Sequence, residues 1–269
     1  MTPAPDILAA MLRKRPVLEP GHVWLAGAGP GDPGCLTVDV LSGLAQADTV
    51  VHDALVSAEV LALAAHGAAM IFAGKRGGKP SAGQDDISAT LIAHARAGRR
   101  VLRLKGGDPL VFGRGGEEAM ALAEAGVPFR ILPGLTAGLA GLAAVGIPAT
   151  VRGINQAIIL VTGHGADRDG GPDWAALART RQPIVVYMAL NKLAAITTAL
   201  LAGGLPADTP AALIAAATTP AQAVLISSLG QIAAEAKQAG LPTPALVAFG
   251  GIVAFRQYLL SVAATVAAT

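Results

Sequence analysis

VLRLKGGDPLVFGRGGEE, residues Val101 to Glu118, is the stretch on which the fold turns. An apolar run enters two adjacent glycines, Gly106 and Gly107, then Asp108 and Pro109, then a glycine-rich turn around Arg114, and finally a helix-like segment headed by Glu117 and Glu118. Two glycines at a strand end let another backbone or a ligand approach closely. Strand, tight turn and helix in that order form the repeating unit of an α/β fold. The pattern continues outward: apolar runs near residues 23–28, 48–52, 69–73 and 128–132 read as four more strands. Helix candidates lie at Leu36–Ala47, Asp85–Ala97 and Gly115–Ala125, the last two closed by Gly98 and Gly126. Such alternation predicts a mostly parallel sheet with helices on both faces.

After Pro133 the texture changes. Further strands are expected at 157–162, 183–188, 211–215, 223–227 and 245–249, with fewer charges and shorter connections. The chain therefore reads as α/β in two α/β domains, with an N-terminal extension over 1–20, one domain over 21–133 and a second over 134–269. An active-site cleft is expected between the two domains. No internal repeat is visible.

Composition narrows the function classes. Of 269 residues 53% are hydrophobic and 14% charged, enough to bury two cores and without a disordered signature. A net charge of +2 argues for no nucleic-acid partner. Ile131–Val151 is uncharged and long enough to span a bilayer, but Pro133, Pro148 and the glycines between them read as packed loop and helix, so no membrane partner is expected. The N-terminal MTPAPDILAAMLRKRP has its charges after the apolar stretch, the wrong order for a signal peptide, and the expected location is cytoplasmic. Cys35, the single cysteine, reads as a small packed residue, and the five histidines show no ligand spacing, so no metal is expected. Between Lys75 and Arg114 nine basic residues stand against three acidic ones. That excess suits an anionic partner; solvated strand and helix ends are the alternative, above all for Arg96, Arg99 and Arg100.

A second glycine cluster, LAGAGPGDPG (Leu25–Gly34), satisfies G-x-G-x-x-G through Gly29, Gly31 and Gly34. A dinucleotide loop needs free backbone N–H groups aimed at the phosphates. Pro30 and Pro33 each remove a donor, Asp32 adds a negative charge, and Gly34 falls before the helix rather than within it. Asp53, after the second strand, is the remaining element of a nucleotide reading. In the longer cluster, Glu118 reads as a macrodipole partner at a helix start. Arg114, ringed by glycines, reads as a poor place for a surface ion pair and a good one for a ligand arm. P-loop, nucleophile-elbow and zinc-protease motifs are all absent from the sequence.

Taken together and in order, GAGPGDPGCLT (27–37), ADTVVHDALVS (47–57), GKRGG (74–78), VLRLKGGDPLVFGRGGEEAMAL (101–122), PGLTAGLAGLAAVGIPATVRG (133–153), VTGH (161–164), VVYMALNKL (185–193) and AATTPAQAV (216–224) resemble the uroporphyrinogen-III C-methyltransferases of the tetrapyrrole methylase family. The resemblance covers roughly residues 20–255. It implies two methyl transfers from S-adenosylmethionine to carbons 2 and 7 of uroporphyrinogen III, through precorrin-1 to precorrin-2, with S-adenosylhomocysteine as product, on a route to cobalamin or sirohaem. It also implies a homodimer. By resemblance the donor contacts Pro30, Gly106, Gly107, Asp108 and Val111 in the first domain and Thr136, Ala137, Met188 and Ala217 in the second. Ala217 departs from the glycine often found there. Read without the resemblance, Met188 is a packing residue. The substrate side takes Asp53, Lys75, Arg114, Glu117, Arg152 and His164, and an octacarboxylate substrate accounts for the local basic excess.

In this chemistry a reduced macrocycle behaves as an enamine whose ring carbon attacks the sulfonium methyl, and a proton leaves afterwards. Candidates for the catalytic roles are Asp53, Glu117 and Arg114; arginine as a base requires an exceptional pKa, so Arg114 is assigned to carboxylate binding and the base stays open. The competing readings are a methylase of a later cobalamin precursor, an NAD(P)-linked oxidoreductase and a non-catalytic tetrapyrrole-binding module. The chain length leads us to expect no further dehydrogenase–ferrochelatase domain.

Overall fold

The first strand, β1 (Val23–Gly27), is buried along its whole length. Its side chains alternate, Trp24 and Ala26 joining one apolar cluster and Val23 and Leu25 another. A strand apolar on both sides needs a helical layer on each. The computed structural model describes residues 4–74, 84–164 and 171–267, and the chain divides into two units between Thr136 and Ala137.

In the first unit α1 (Ala4–Leu12) precedes β1, followed by α2 (Val38–Gln46), β2 (Thr49–His52), α3 (Ala58–Leu61), β3 (Ala69–Phe72), α4 (Gln84–Arg96), β4 (Val101–Lys105), α5 (Gly115–Glu124) and β5 (Phe129–Leu132). The sheet runs β3-β2-β4-β1-β5, with every pairing parallel. Val40 and Leu44 of α2 and Val60 of α3 pack with Trp24, Ala26, Leu102 and Leu104. Ile87 and Leu91 of α4 and Leu122 of α5 pack with Val23, Leu25 and Val101. Leu18, ahead of β1, is fully buried and donates its N–H to Gln46 Oε1 at 2.9 Å. Thr37 and Ser57 cap α2 and α3 through their hydroxyls, while Gly98 and Gly126 end α4 and α5 near φ +75° and +67°. The five strands lie within a residue of their expected places.

The strand order has a consequence for function. From β1 the chain leaves across β4 toward β2, whereas from β4 it leaves across β1 toward β5. Neighbouring strands whose connections depart in opposite directions open a crevice beyond their C-terminal ends. Both glycine clusters fall there.

The second unit contains α6 (Ala137–Ala144), β6 (Ile159–Thr162), α7 (Trp174–Arg179), β7 (Ile184–Tyr187), α8 (Leu193–Ala202), β8 (Pro210–Ala215), β9 (Ala223–Ser228), α9 (Ile232–Ala239), β10 (Ala245–Phe249) and α10 (Gly251–Ala267). Its sheet runs β6-β7-β10-β8-β9, and only β6–β7 is parallel. The parallel pattern of the first unit thus stops, because the residue 216–222 link between β8 and β9 is too short for a crossover. Val186, Leu213, Val247 and Phe249 pack with Trp174, Ile196, Leu200 and Ile232. Across the strand from Val186, Tyr187 receives the Gly138 N–H of α6 on its hydroxyl at 2.9 Å, where a Cβ on residue 138 would collide with the ring. Residues 131–151 are the end of β5, a loop, α6 and a turn; among the described residues no helix is long and apolar enough to cross a membrane.

Candidate functional site

At the C-terminal rim of the parallel sheet, three backbones meet without side chains between them. Gly29 and Gly107 exchange hydrogen bonds, N–H of each to C=O of the other, at 3.1 and 2.7 Å. A Cβ on Gly27 would lie 2.6 Å from both the Gly107 carbonyl and the Gly134 backbone. Gly107 sits at φ +72°, a conformation that glycine adopts without steric cost. Asp108 ties the next turn: Oδ1 accepts the Leu110 N–H at 2.8 Å and Oδ2 the Gly134 N–H at 3.0 Å. Pro30 and Val111 lie beside these turns, half-buried.

The LAGAGPGDPG loop uses its own amides. Besides Gly29, the Gly34 N–H goes to Asp32 Oδ1 at 2.7 Å, and Pro33–Cys35 form a 3-10 turn before α2 begins. A pyrophosphate would find neither amide available and a carboxylate in its place. Asp32 and partial burial push the Cys35 thiol up, burial contributing most, so the cysteine is a poor nucleophile.

Asp53 follows β2. Its Oδ1 accepts the Leu55 N–H at 2.9 Å, and its Oδ2 lies 3.4 Å from the Gly106 N–H and 3.9 Å from Arg103 Nη2. The carboxylate therefore joins the ends of β2 and β4.

Beneath the rim lies a charge cluster that the sequence reading missed. In β4 the two-residue period sends Leu102 and Leu104 to the α2–α3 layer and turns Arg103 and Lys105 to the opposite one, where both are nearly fully buried. Glu118, fully buried in the first turn of α5, receives Arg103 Nε at 3.2 Å and Lys105 Nζ at 2.9 Å on the same oxygen. Arg103 Nη1 also donates to the Val51 and Leu104 carbonyls. Burial, together with the Arg103 charge, pushes the Lys105 ammonium below its ordinary value, against the opposing pull of Glu118 and Asp53. Glu118 thus stands in the first turn of α5, as its reading as a macrodipole partner has it, and is also the internal counter-ion of β4.

Arg114 requires a correction. It stands at φ +59° before α5, and its guanidinium forms a two-point ion pair with Glu117, Nε to Oε1 at 2.8 Å and Nη2 to Oε2 at 2.5 Å. Both side chains are more than half exposed. The hydrogen bond from Arg114 holds the Glu117 carboxyl below the usual carboxylate range. The flanking glycines mark tight packing rather than mobility, since a Cβ at Gly113 would lie 2.8 Å from the Pro109 carbonyl, which also receives the Gly115 N–H at 2.9 Å. Four of the nine basic residues are paired within the unit: Arg100 with Asp48, Arg103 and Lys105 with Glu118, and Arg114 with Glu117. Lys75 lies outside the described residues.

Thr136, half-buried, ends the first unit, and Ala137 opens α6 in the second. Met188 follows β7 at φ +54° and is 53% exposed, so it is no core packing residue. Ala217, after β8, is buried with its methyl toward Gly141 of α6, where a Cβ would come within 3.1 Å. Arg152 is exposed in a turn tied by Asn155, whose Oδ1 accepts the Val151 N–H and whose Nδ2 donates to Ala149 and Ala157. His164, exposed after β6, donates its N–H to Thr162 Oγ1 at 3.1 Å.

The family model described as Tetrapyrrole (Corrin/Porphyrin) Methylases matches residues 22–233. The chain belongs to the tetrapyrrole methylase family. A uroporphyrinogen-III C-methyltransferase of a Sinorhizobium species is 54% identical, the match covering 91% of this chain and 88% of the relative. Siroheme synthase 2 of Serratia proteamaculans is 46% identical over 90% of this chain and 51% of its own length, so the chain spans about half of that relative. Among solved structures, the uroporphyrin-III C-methyltransferase of Thermus thermophilus complexed with S-adenosyl homocysteine aligns with a TM-score of 0.75 at 37% identity, covering 87% of this chain and 99% of that one. In this tetrapyrrole methylase the Gly29 and Gly34 amides of the G-x-G-x-x-G match are engaged by Gly107 and Asp32, and the oxidoreductase reading loses the loop among its supports. Among the described residues no cluster of His, Cys, Asp and Glu could hold a metal ion.

Proposed function

We propose that the chain transfers methyl groups from S-adenosylmethionine to carbons 2 and 7 of uroporphyrinogen III, by way of precorrin-1, giving precorrin-2 for cobalamin or sirohaem synthesis. The observation that carries this is the 54% identity to a uroporphyrinogen-III C-methyltransferase across most of both chains. The rim's chemistry fits the donor: the Gly29, Gly34 and Gly107 amides are engaged, and the exposed Asp32 repels phosphate but suits a cationic sulfonium. On this reading Pro30, Gly106, Gly107, Asp108, Val111 and Thr136 in the first unit, and Ala137, Met188 and Ala217 in the second, contact the donor. Lys75, Arg114, Arg152 and His164 bind substrate carboxylates.

Each transfer forms a carbon–carbon bond, breaks the methyl–sulfur bond and releases a proton from the macrocycle. The donor supplies an electrophilic methyl group, and the chain's share is chiefly orientation, for which bound geometries gain about 7–11 kcal/mol. Glu117 is a weakened base while Arg114 holds it. We therefore assign the proton to Asp53, which faces the rim beside Gly106. The arrangement also suits exchange of carboxylates at Arg114, where a substrate carboxylate replaces Glu117 in the same fork.

Incubation of the protein with methyl-labelled S-adenosylmethionine and uroporphyrinogen III under reducing, anaerobic conditions tests the proposal. Two labels per macrocycle are expected. Porphyrinogen binding without label incorporation would overturn it in favour of a non-catalytic module. We also propose a cytoplasmic homodimer, for which light scattering should give twice the 26.8 kDa chain mass.

A further inference from the structure

The cluster under β4 contains more than the proposed chemistry uses. Arg103, Lys105, Glu118 and Asp53 sum to zero charge and come from three places: the middle and end of β4, the first turn of α5 and the loop after β2. Glu118 meets both cations on one oxygen, 3.2 Å from Arg103 Nε and 2.9 Å from Lys105 Nζ. That grip fixes the Arg103 side chain from below while its Nη1 reaches the Val51 carbonyl of β2 and its Nη2 approaches Asp53. Asp53 in turn faces the Gly106 N–H. A continuous line of contacts thus runs from a buried helix carboxylate to the rim.

We propose that Glu118 is a positioning residue for methyl transfer: through Arg103 it sets the place of Asp53 and of the Gly106 amide at the end of β4. Charge balance alone explains why a counter-ion is needed, since two buried cations without one are strongly unfavourable. It does not explain the choice of contacts. A counter-ion could sit anywhere near Lys105, whereas Glu118 takes the Nε edge of Arg103 and leaves the two Nη groups for Val51, Leu104 and Asp53. The fork of a guanidinium makes this possible, one edge held and the other directed. Lys105 keeps the cluster neutral, and burial pushes its ammonium below the ordinary value against the opposing pull of Glu118.

This inference rests on the proposed activity for its kinetic consequence only. The experiment therefore has two readouts. Glu118→Gln tests the loss of the carboxylate, and the double variant Glu118→Gln/Lys105→Met removes one charge of each sign, so that it folds without an uncompensated cation. In both, amide hydrogen exchange at Leu55 and Gly106 should rise at least about tenfold relative to the sheet interior, because the groups that hold Asp53 in place have loosened. Single-turnover methyl transfer should fall about 10²-fold in the double variant, with S-adenosylhomocysteine affinity by calorimetry changed much less. Glu118 as mere charge compensation predicts the opposite for the double variant: restored stability together with restored exchange protection and rate, and that result overturns the proposal. If the unaltered protein does not methylate uroporphyrinogen III, the activity assignment falls, while the exchange readout still decides whether Glu118 positions the rim.

Discussion

Single residues at the rim divide into those that shape the backbone and those that handle charge. Gly107 belongs to the first kind: its φ of +72° and its paired hydrogen bonds with Gly29 leave an L side chain in a disfavoured conformation. Gly107→Ala should therefore lower stability by about 1–2 kcal/mol, read as a lower urea midpoint at unchanged slope. An unchanged midpoint would mean that the turn relaxes without cost. Arg114 and Asp53 belong to the second kind. Arg114→Lys keeps the charge but loses the fork that Glu117 now occupies, so turnover should drop at least about tenfold while donor affinity is spared. Equal loss of donor affinity would place Arg114 on the donor side instead. Asp53→Asn retains an acceptor for the Leu55 N–H but removes the basic carboxylate. Methyl transfer in a single turnover should slow by about 10²–10⁴-fold after both partners have bound. Transfer at the original rate would make Asp53 a cap of its loop and return the base to Glu117 or solvent.

Elements inherit their chemistry from alternation, and β4 shows how. Val-Leu-Arg-Leu-Lys, read with a period of two, already sends Leu102 and Leu104 to one layer and Arg103 and Lys105 to the other, so the face of the two cations was legible in the sequence although their burial was not. Their partner was less so. Glu117 and Glu118 are adjacent and look alike, but successive helix residues point about 100° apart, which sends one to solvent and the other into the core. The strands of both units were legible for the same reason, as short apolar runs bounded by glycine and proline. The order β6-β7-β10-β8-β9 was not, because insertion of β10 between β7 and β8 depends on pairing across distant sequence. A pH test belongs to this scale. Burial lowers the Lys105 pKa in the folded chain below its ordinary 10.5, so the folded state binds fewer protons than the unfolded state between the two values. Stability from this group therefore rises with pH across that window: the penalty is full below the folded pKa and gone above the unfolded one. Comparing the unaltered protein with Lys105→Met by urea unfolding from about pH 7 to about pH 10 should show the former gaining on the latter as pH rises. Parallel curves would mean that Glu118 compensates burial fully.

At the scale of the whole molecule, each unit carries what a domain needs. The first is a wholly parallel sheet, which is stable only when covered on both faces, and its own α2 and α3 cover one while α4 and α5 cover the other. The second covers one face with α7, α8 and α9, whose Trp174, Ile196, Leu200 and Ile232 join the strands in a single apolar cluster, and sets α6 against Tyr187 on the other. Among the described residues, the two apolar clusters of the first unit named above draw on residues 18–132 and that of the second on residues 159–249. A chain of about 130 residues buries roughly two thirds of its unfolded surface, enough for independent folding. The two segments, 1–136 and 137–269, should therefore fold when produced separately, each with a cooperative urea transition and native-like far-ultraviolet circular dichroism. The first should be the more robust, since its sheet is covered on both faces, whereas the edge strand β9 of the second is nowhere more than half-buried and leaves Val224 exposed. A first segment that collapses without a cooperative transition would show that its parallel sheet does not fold by itself and that the two segments form one folding unit.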